Sequence, residues 1–130
     1  MIKTLLAIGL VTFALNAFAA GDGDHSETVC SALDANVCAH LGHMTKLDSS
    51  SEVQFVAHVM VAQQVADMNV VLWMPAMGHG SSPVKLTLTG LNYYQVSQAY
   101  FIMPGNWEVK MSFSLNGVKH QITIPVNVEQ

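Results

Sequence analysis

The last quarter of the chain constrains the fold most. Trp107, Val109, Met111, Phe113 and Leu115 alternate without a break with Glu108, Lys110, Ser112 and Ser114. After Asn116-Gly117 the alternation resumes through Val118, His120, Ile122, Ile124, Val126 and Val128. A period of two is the period of a strand with one buried face. Asn-Gly between two such runs is the signature of a two-residue type I′ turn, in which both central residues need positive φ. A two-residue loop leaves one register: Leu115 opposite Val118, Phe113 opposite His120, Met111 opposite Ile122, Val109 opposite Ile124 and Trp107 opposite Val126. All of these project to one side, which must be a core side. Pro125 lacks a ladder donor, so its strand is predicted at a sheet edge or at a bulge.

The same period recurs upstream. Val53, Phe55, Ala57, Val59 and Val61 alternate with Gln54, Val56, His58 and Met60, and Val84, Leu86 and Leu88 alternate with Lys85 and Thr87. Met68 to Met74 is apolar on both sides and reads as a central strand, while Val96 to Met103 is less regular. Residues 52–130 are therefore expected to form an all-β domain, an immunoglobulin-like β-sandwich of about seven strands.

The N-terminus reads as an address. Lys3, the apolar run Leu5 to Leu15 and the Ala17-Phe18-Ala19 site predict a secretory signal peptide over residues 1–19, too short in its apolar run to span a membrane. No Cys follows the cleavage site and no later stretch is long and apolar enough to span, so neither a lipid anchor nor a membrane span is expected. The expected location is the periplasm or the exterior. Residues 20–51 are expected as an N-terminal appendage and linker. In an oxidising compartment Cys30 and Cys38 are expected to pair. On one straight helix residues eight apart lie about 12 Å apart along the axis, whereas a disulfide tolerates less than about 7 Å between Cα atoms. The segment must turn back near Asp34 to Asn36. Glu27 to Met44 is expected as short helical stretches pinned by this disulfide.

Charge narrows the function. Nine acids face five Lys and no Arg, which argues against a phosphate-neutralising surface and hence against nucleic acid as a partner. No G-x-S-x-G elbow, H-E-x-x-H or Gly-rich phosphate loop is present, so no enzyme is expected. The unusual feature is eight Met with six His in 130 residues.

Met74-Pro75-Ala76-Met77-Gly78-His79-Gly80 leaves a strand and enters a Gly- and Ser-rich loop. Thioether and imidazole together suit Cu(I), and a loop tip lets them converge without commitment to the core. The competing reading is that Met74 and Met77 fill gaps and His79 is an ordinary loop residue. Met103-Pro104-Gly105-Asn106-Trp107 reads as a turn followed by a core anchor. Met103 is a fourth candidate ligand if it shares a pole with His79. His40, His43 and Met44, at i, i+3 and i+4, share one face of a helix and are secondary metal candidates. If the strand face shared by His58 and Met60 is core, His58 reads as a hydrogen-bonded interior histidine, and His120, opposite Phe113, reads the same way.

From about Val53 to Val128 the chain resembles the YtkA-like group of exported immunoglobulin-like domains, near the FixH-like group. The likeness rests on Met74-Pro75-x-Met77-Gly78-His79-Gly80, then Met103-Pro104-Gly105-x-Trp107, then the alternating hairpin. It implies extracytoplasmic copper handling, with a copper transporter or an oxidase-assembly protein as partner, and points to Met74, Met77, His79 and Met103 as ligands. The stretch from His25 to Met44, with its Cys pair, lies outside the likeness. The expectation is an exported copper-binding protein that holds Cu(I) through Met and His for transfer or sequestration. The alternative is a non-metal periplasmic interaction module that docks an envelope or membrane protein.

Overall fold

The computed structural model describes residues 26–130, and the signal peptide expected over residues 1–19 lies outside them. The strands, in chain order, are β1 Val29–Cys30, β2 Cys38–Gly42, β3 Val53–Val59, β4 Ala66–Met74, β5 His79–Gly80, β6 Lys85–Gly90, β7 Tyr93–Ala99, β8 Gly105–Leu115 and β9 Val118–Val128. They form two antiparallel sheets, one ordered β1-β2-β3-β7-β6 and the other β5-β4-β8-β9. Both sheets contribute to a single apolar core, giving a β-sandwich-like arrangement. Among the described residues there is no helix, and so none long and apolar enough to cross a membrane.

The β8–β9 hairpin has the register that a two-residue turn demands, from Leu115 opposite Val118 to Trp107 opposite Val126. Asn116 and Gly117 take φ of 51° and 76°, the positive values that a type I′ turn needs. Trp107, Val109, Met111, Phe113, His120, Ile122, Ile124 and Val126 are all buried. Pro125 sits on β9, the outer strand of its sheet, where no ladder donor is missed.

The N-terminal segment differs from expectation. Over the described residues of the Glu27 to Met44 stretch the chain forms β1 and β2 rather than helical turns. Val37, Ala39 and Leu41 are buried at alternate positions, so a period of two outweighs the helical spacing of His40, His43 and Met44. Asp34 starts the reversal: its carbonyl accepts Val37 N–H and its carboxylate accepts Asn36 N–H. Cys30 and Cys38 stand directly opposite and are joined by a disulfide. β2 then pairs with β3, so this segment extends the five-stranded sheet. Ser31 Oγ lies 2.7 Å from His120 Nδ1 in a buried hydrogen bond that ties the first hairpin to β9. The interior, hydrogen-bonded role expected for His120 is therefore found.

β7 begins earlier than its sequence suggests, at Tyr93, and ends at Ala99. Asn92, fully buried with φ of 58°, explains the start. Its amide donates to the carbonyls of Val61 and Gln63, and its Oδ1 accepts from Val65 N–H and Gln64 Nε2. One side chain thus satisfies the backbone of the crossover between β3 and β4.

Two stability outcomes follow. Replacing both Cys30 and Cys38 by Ser is expected to cost about 2–3 kcal/mol on the chain-entropy view. Asn92→Ala, which leaves several buried backbone groups without partners, is expected to cost at least about 2 kcal/mol. Urea unfolding measures both, and a loss below about 0.5 kcal/mol for Asn92→Ala would remove its structural role.

Candidate functional site

β4 and β8 run antiparallel, so the end of β4 at Met74 and the start of β8 at Gly105 lie at one pole of the domain. Beyond Met74 the chain reverses in a tight turn. Met74 carbonyl accepts from Met77 N–H at 3.2 Å and from Gly78 N–H at 3.0 Å. Gly78 has φ of 64°, a left-handed value that glycine adopts without cost. The returning chain pairs as β5, with His79 opposite Met74 and Gly80 opposite Trp73. A Cβ on Gly80 would fall 2.8 Å from Leu72 O, so that close backbone approach needs glycine.

Directly opposite residues on antiparallel strands project to the same side. Met74 and His79 therefore share a face, and it is the inner one: Met74 is 6% exposed and belongs to the core cluster. His79 is half-buried. Trp73 lies on the other face, where Lys110 Nζ stands 5.0 Å from its ring centre. Met77, at the tip of the turn, is 53% exposed.

The second loop of this pole is held by Trp107. Its indole Nε1 donates to Met103 O at 2.8 Å, while its ring is buried edge-on to Phe101. Met103 is partly buried against the core. Gly105 takes φ of 126°, and a Cβ there would sit 3.1 Å from Met74 Cε. The Met103 loop thus closes directly over the end of Met74. Tyr100 and Ile102 on this loop are exposed. Of the four principal candidates, Met74, His79 and Met103 line the core side of one pole, and Met77 rises from the same turn toward solvent.

The secondary candidates separate. His40 lies on β2, His43 follows it at φ of 49° and is exposed, and Met44 is partly buried against the core. The helix face that would have gathered them is absent from the described residues. His40 instead stands opposite His58 on β3. His58 is not an interior, hydrogen-bonded histidine. It lies on the outer face of β3, half-buried, stacked on Tyr93 with ring centres 3.7 Å apart, and its Nδ1 is sealed from solvent without a partner. The sequence contained one hint of this pairing, the alternation of Val37, Ala39 and Leu41 around His40, which is a strand period.

Among the described residues no three His, Cys, Asp or Glu side chains gather as a metal cage. The polar donor of the Met-rich pole is His79, and its companions are thioethers. Thioethers carry no proton to lose and favour a soft, low-coordinate ion, so this donor set fits Cu(I) better than zinc or a hard cation. Comparison with family models, with curated proteins and with solved structures gives no match.

Gly105→Ala is expected to lower stability by about 1–3 kcal/mol through backbone strain and to move the Met74 methyl resonance in NMR spectra. An unmoved resonance would remove the contact between the two loops. Burial, and secondarily the charge of His40, hold the His58 pKa below its ordinary value. The unfolded chain therefore takes up the proton first, so stability is complete above the ordinary imidazole range and falls as pH drops toward the depressed folded value. His58→Gln should flatten that slope in pH-dependent thermal unfolding, and an unchanged slope would contradict the assignment.

Proposed function

We propose that this chain is an exported, immunoglobulin-like domain of YtkA-like type that binds Cu(I) and passes it on or sequesters it, without enzymatic activity of its own. What supports the reading is the apposition of Met74 and His79 on paired strands beneath the Met103 loop, with Met77 in the connecting turn. Two neighbouring segments of one pole carry these four soft or borderline donors. Copper is the cargo here. Met74 and Met103 offer thioethers from a water-poor wall, His79 offers an imidazole, and exposed Met77 meets the ion first and releases it last. A thioether set of this kind gives moderate, exchangeable binding, as suits a carrier. The disulfide and the N-terminal address support a periplasmic or extracellular setting, and the recipient would be a copper transporter or an oxidase-assembly protein.

The exposed apolar groups of this pole, Met77, Tyr100 and Ile102, also favour a second reading. In it the pole is a docking surface of a non-metal interaction module, and Met74 merely packs.

Competition with a chromogenic Cu(I) chelator, with ascorbate as reductant so that the disulfide survives, separates the two. One equivalent of Cu(I) is expected to bind the wild type. Met77→Ala, His79→Ala and Met103→Ala should each weaken binding at least about tenfold, or about 1.4 kcal/mol. No binding, or equal binding by all four proteins, would leave the interaction module.

A further inference from the structure

The outer face of the five-stranded sheet carries an arrangement that the Met-rich pole does not use. His40 on β2 and His58 on β3 are directly opposite, and their ring centres are 5.1 Å apart with the planes at 89°. Tyr93 on β7 is the next residue in the same cross-strand row and stacks on His58 at an interplanar angle of 9°. We propose that His40 and His58 form a two-imidazole site for a borderline divalent metal ion, of the Cu(II), Ni(II) or Zn(II) class, on this face.

Three observations carry the proposal. The first is spacing. With metal–nitrogen bonds of about 2.0–2.1 Å, each ring centre lies about 3.2 Å from the ion, so two imidazoles at adjacent coordination positions have centres about 4.5–5.3 Å apart. The observed 5.1 Å falls in that interval, so binding asks for ring rotation and no strand movement. The second is preorganisation. The ladder between β2 and β3 fixes both Cα positions, so ligation changes side-chain torsions only, the His58 ring turning out of its Tyr93 stack. The third is an unmet demand. His58 Nδ1 is the buried side-chain polar atom without a hydrogen-bond partner among the described residues, and such an atom in a folded protein calls for an explanation. A metal ion at the pair offsets that desolvation by giving the ring a bonding partner.

Protonation favours the same outcome. The depressed pKa of His58 keeps its imidazole neutral near pH 7, which is the ligating form. Imidazole pairs prefer borderline ions, and among divalent first-row ions the affinity order peaks at copper. Water completes the coordination sphere at this half-open face. The donor set is distinct from the thioether-rich pole in residues, location and preferred oxidation state, so the two can fail independently.

The test is titration of the disulfide-intact protein with Cu(II) and, separately, Zn(II). Calorimetry supplies affinity, and electron paramagnetic resonance supplies nitrogen coupling to Cu(II). The wild type is expected to take one ion with two-nitrogen coupling. His40→Gln and His58→Gln should each lower affinity at least tenfold, with the metal-free thermal unfolding of each variant confirming that it folds. His25→Ala and His43→Ala control for the other N-terminal imidazoles, and Met77→Ala with His79→Ala control for the pole; all should bind as the wild type does. Binding that survives either Gln substitution in a folded variant, or that is lost with His25→Ala or His43→Ala, would overturn the proposal.

Discussion

The turn at Asn116-Gly117 is the constraint on which most of the molecule depends. Two consecutive residues at positive φ allow one register across eleven-residue strands, and that register sends Trp107, Val109, Met111 and Phe113 of β8 and Ile122, Ile124 and Val126 of β9 inward. The same register carries Trp107, at the far end of β8, into the core, where its indole catches the Met103 carbonyl. A backbone turn at one pole therefore determines how the thioether-rich loop sits at the other. A slip of one residue would turn the whole apolar set outward and disperse the Met103 loop with it.

Around that hairpin the rest is supported by a few specific polar contacts. The Ser31–His120 hydrogen bond joins the disulfide hairpin to β9. Asn92 closes the crossover before β4, and β4 in turn presents Met74. These contacts matter because each leaves buried partners behind if removed, whereas the half-exposed Lys110–Glu108 pair at 3.9 Å on the outer face contributes little.

Legibility followed local periodicity. β8, β9 and β3 were readable because their alternation is long, and the Asn-Gly signal set the hairpin register residue by residue. The Cys30–Cys38 pairing was readable from the expected export of the chain, and the turn near Asp34 to Asn36 from the short reach of a disulfide. What was not readable depended on contacts distant in sequence. β2 is short, and the spacing of His40, His43 and Met44 imitates a helix face, so the strand period of Val37, Ala39 and Leu41 was outweighed. The outward side of His58 depends on which face of β3 meets the other sheet. β5 consists of two residues and exists because β4 is there to receive it. The four candidate ligands of the Met-rich pole were visible as residues, but their placement at one pole required the antiparallel pairing of β4 with both β5 and β8.

The central claim is that this pole binds a soft metal ion through its thioethers. The most direct measurement is NMR of methionine methyl groups during anaerobic titration with Cu(I). The account predicts shifts of the Met74, Met77 and Met103 methyl groups that saturate together at one equivalent, while core Met111 and remote Met60 stay unmoved. Unmoved methyl groups at all three positions, or shifts confined to other methionines, would contradict it.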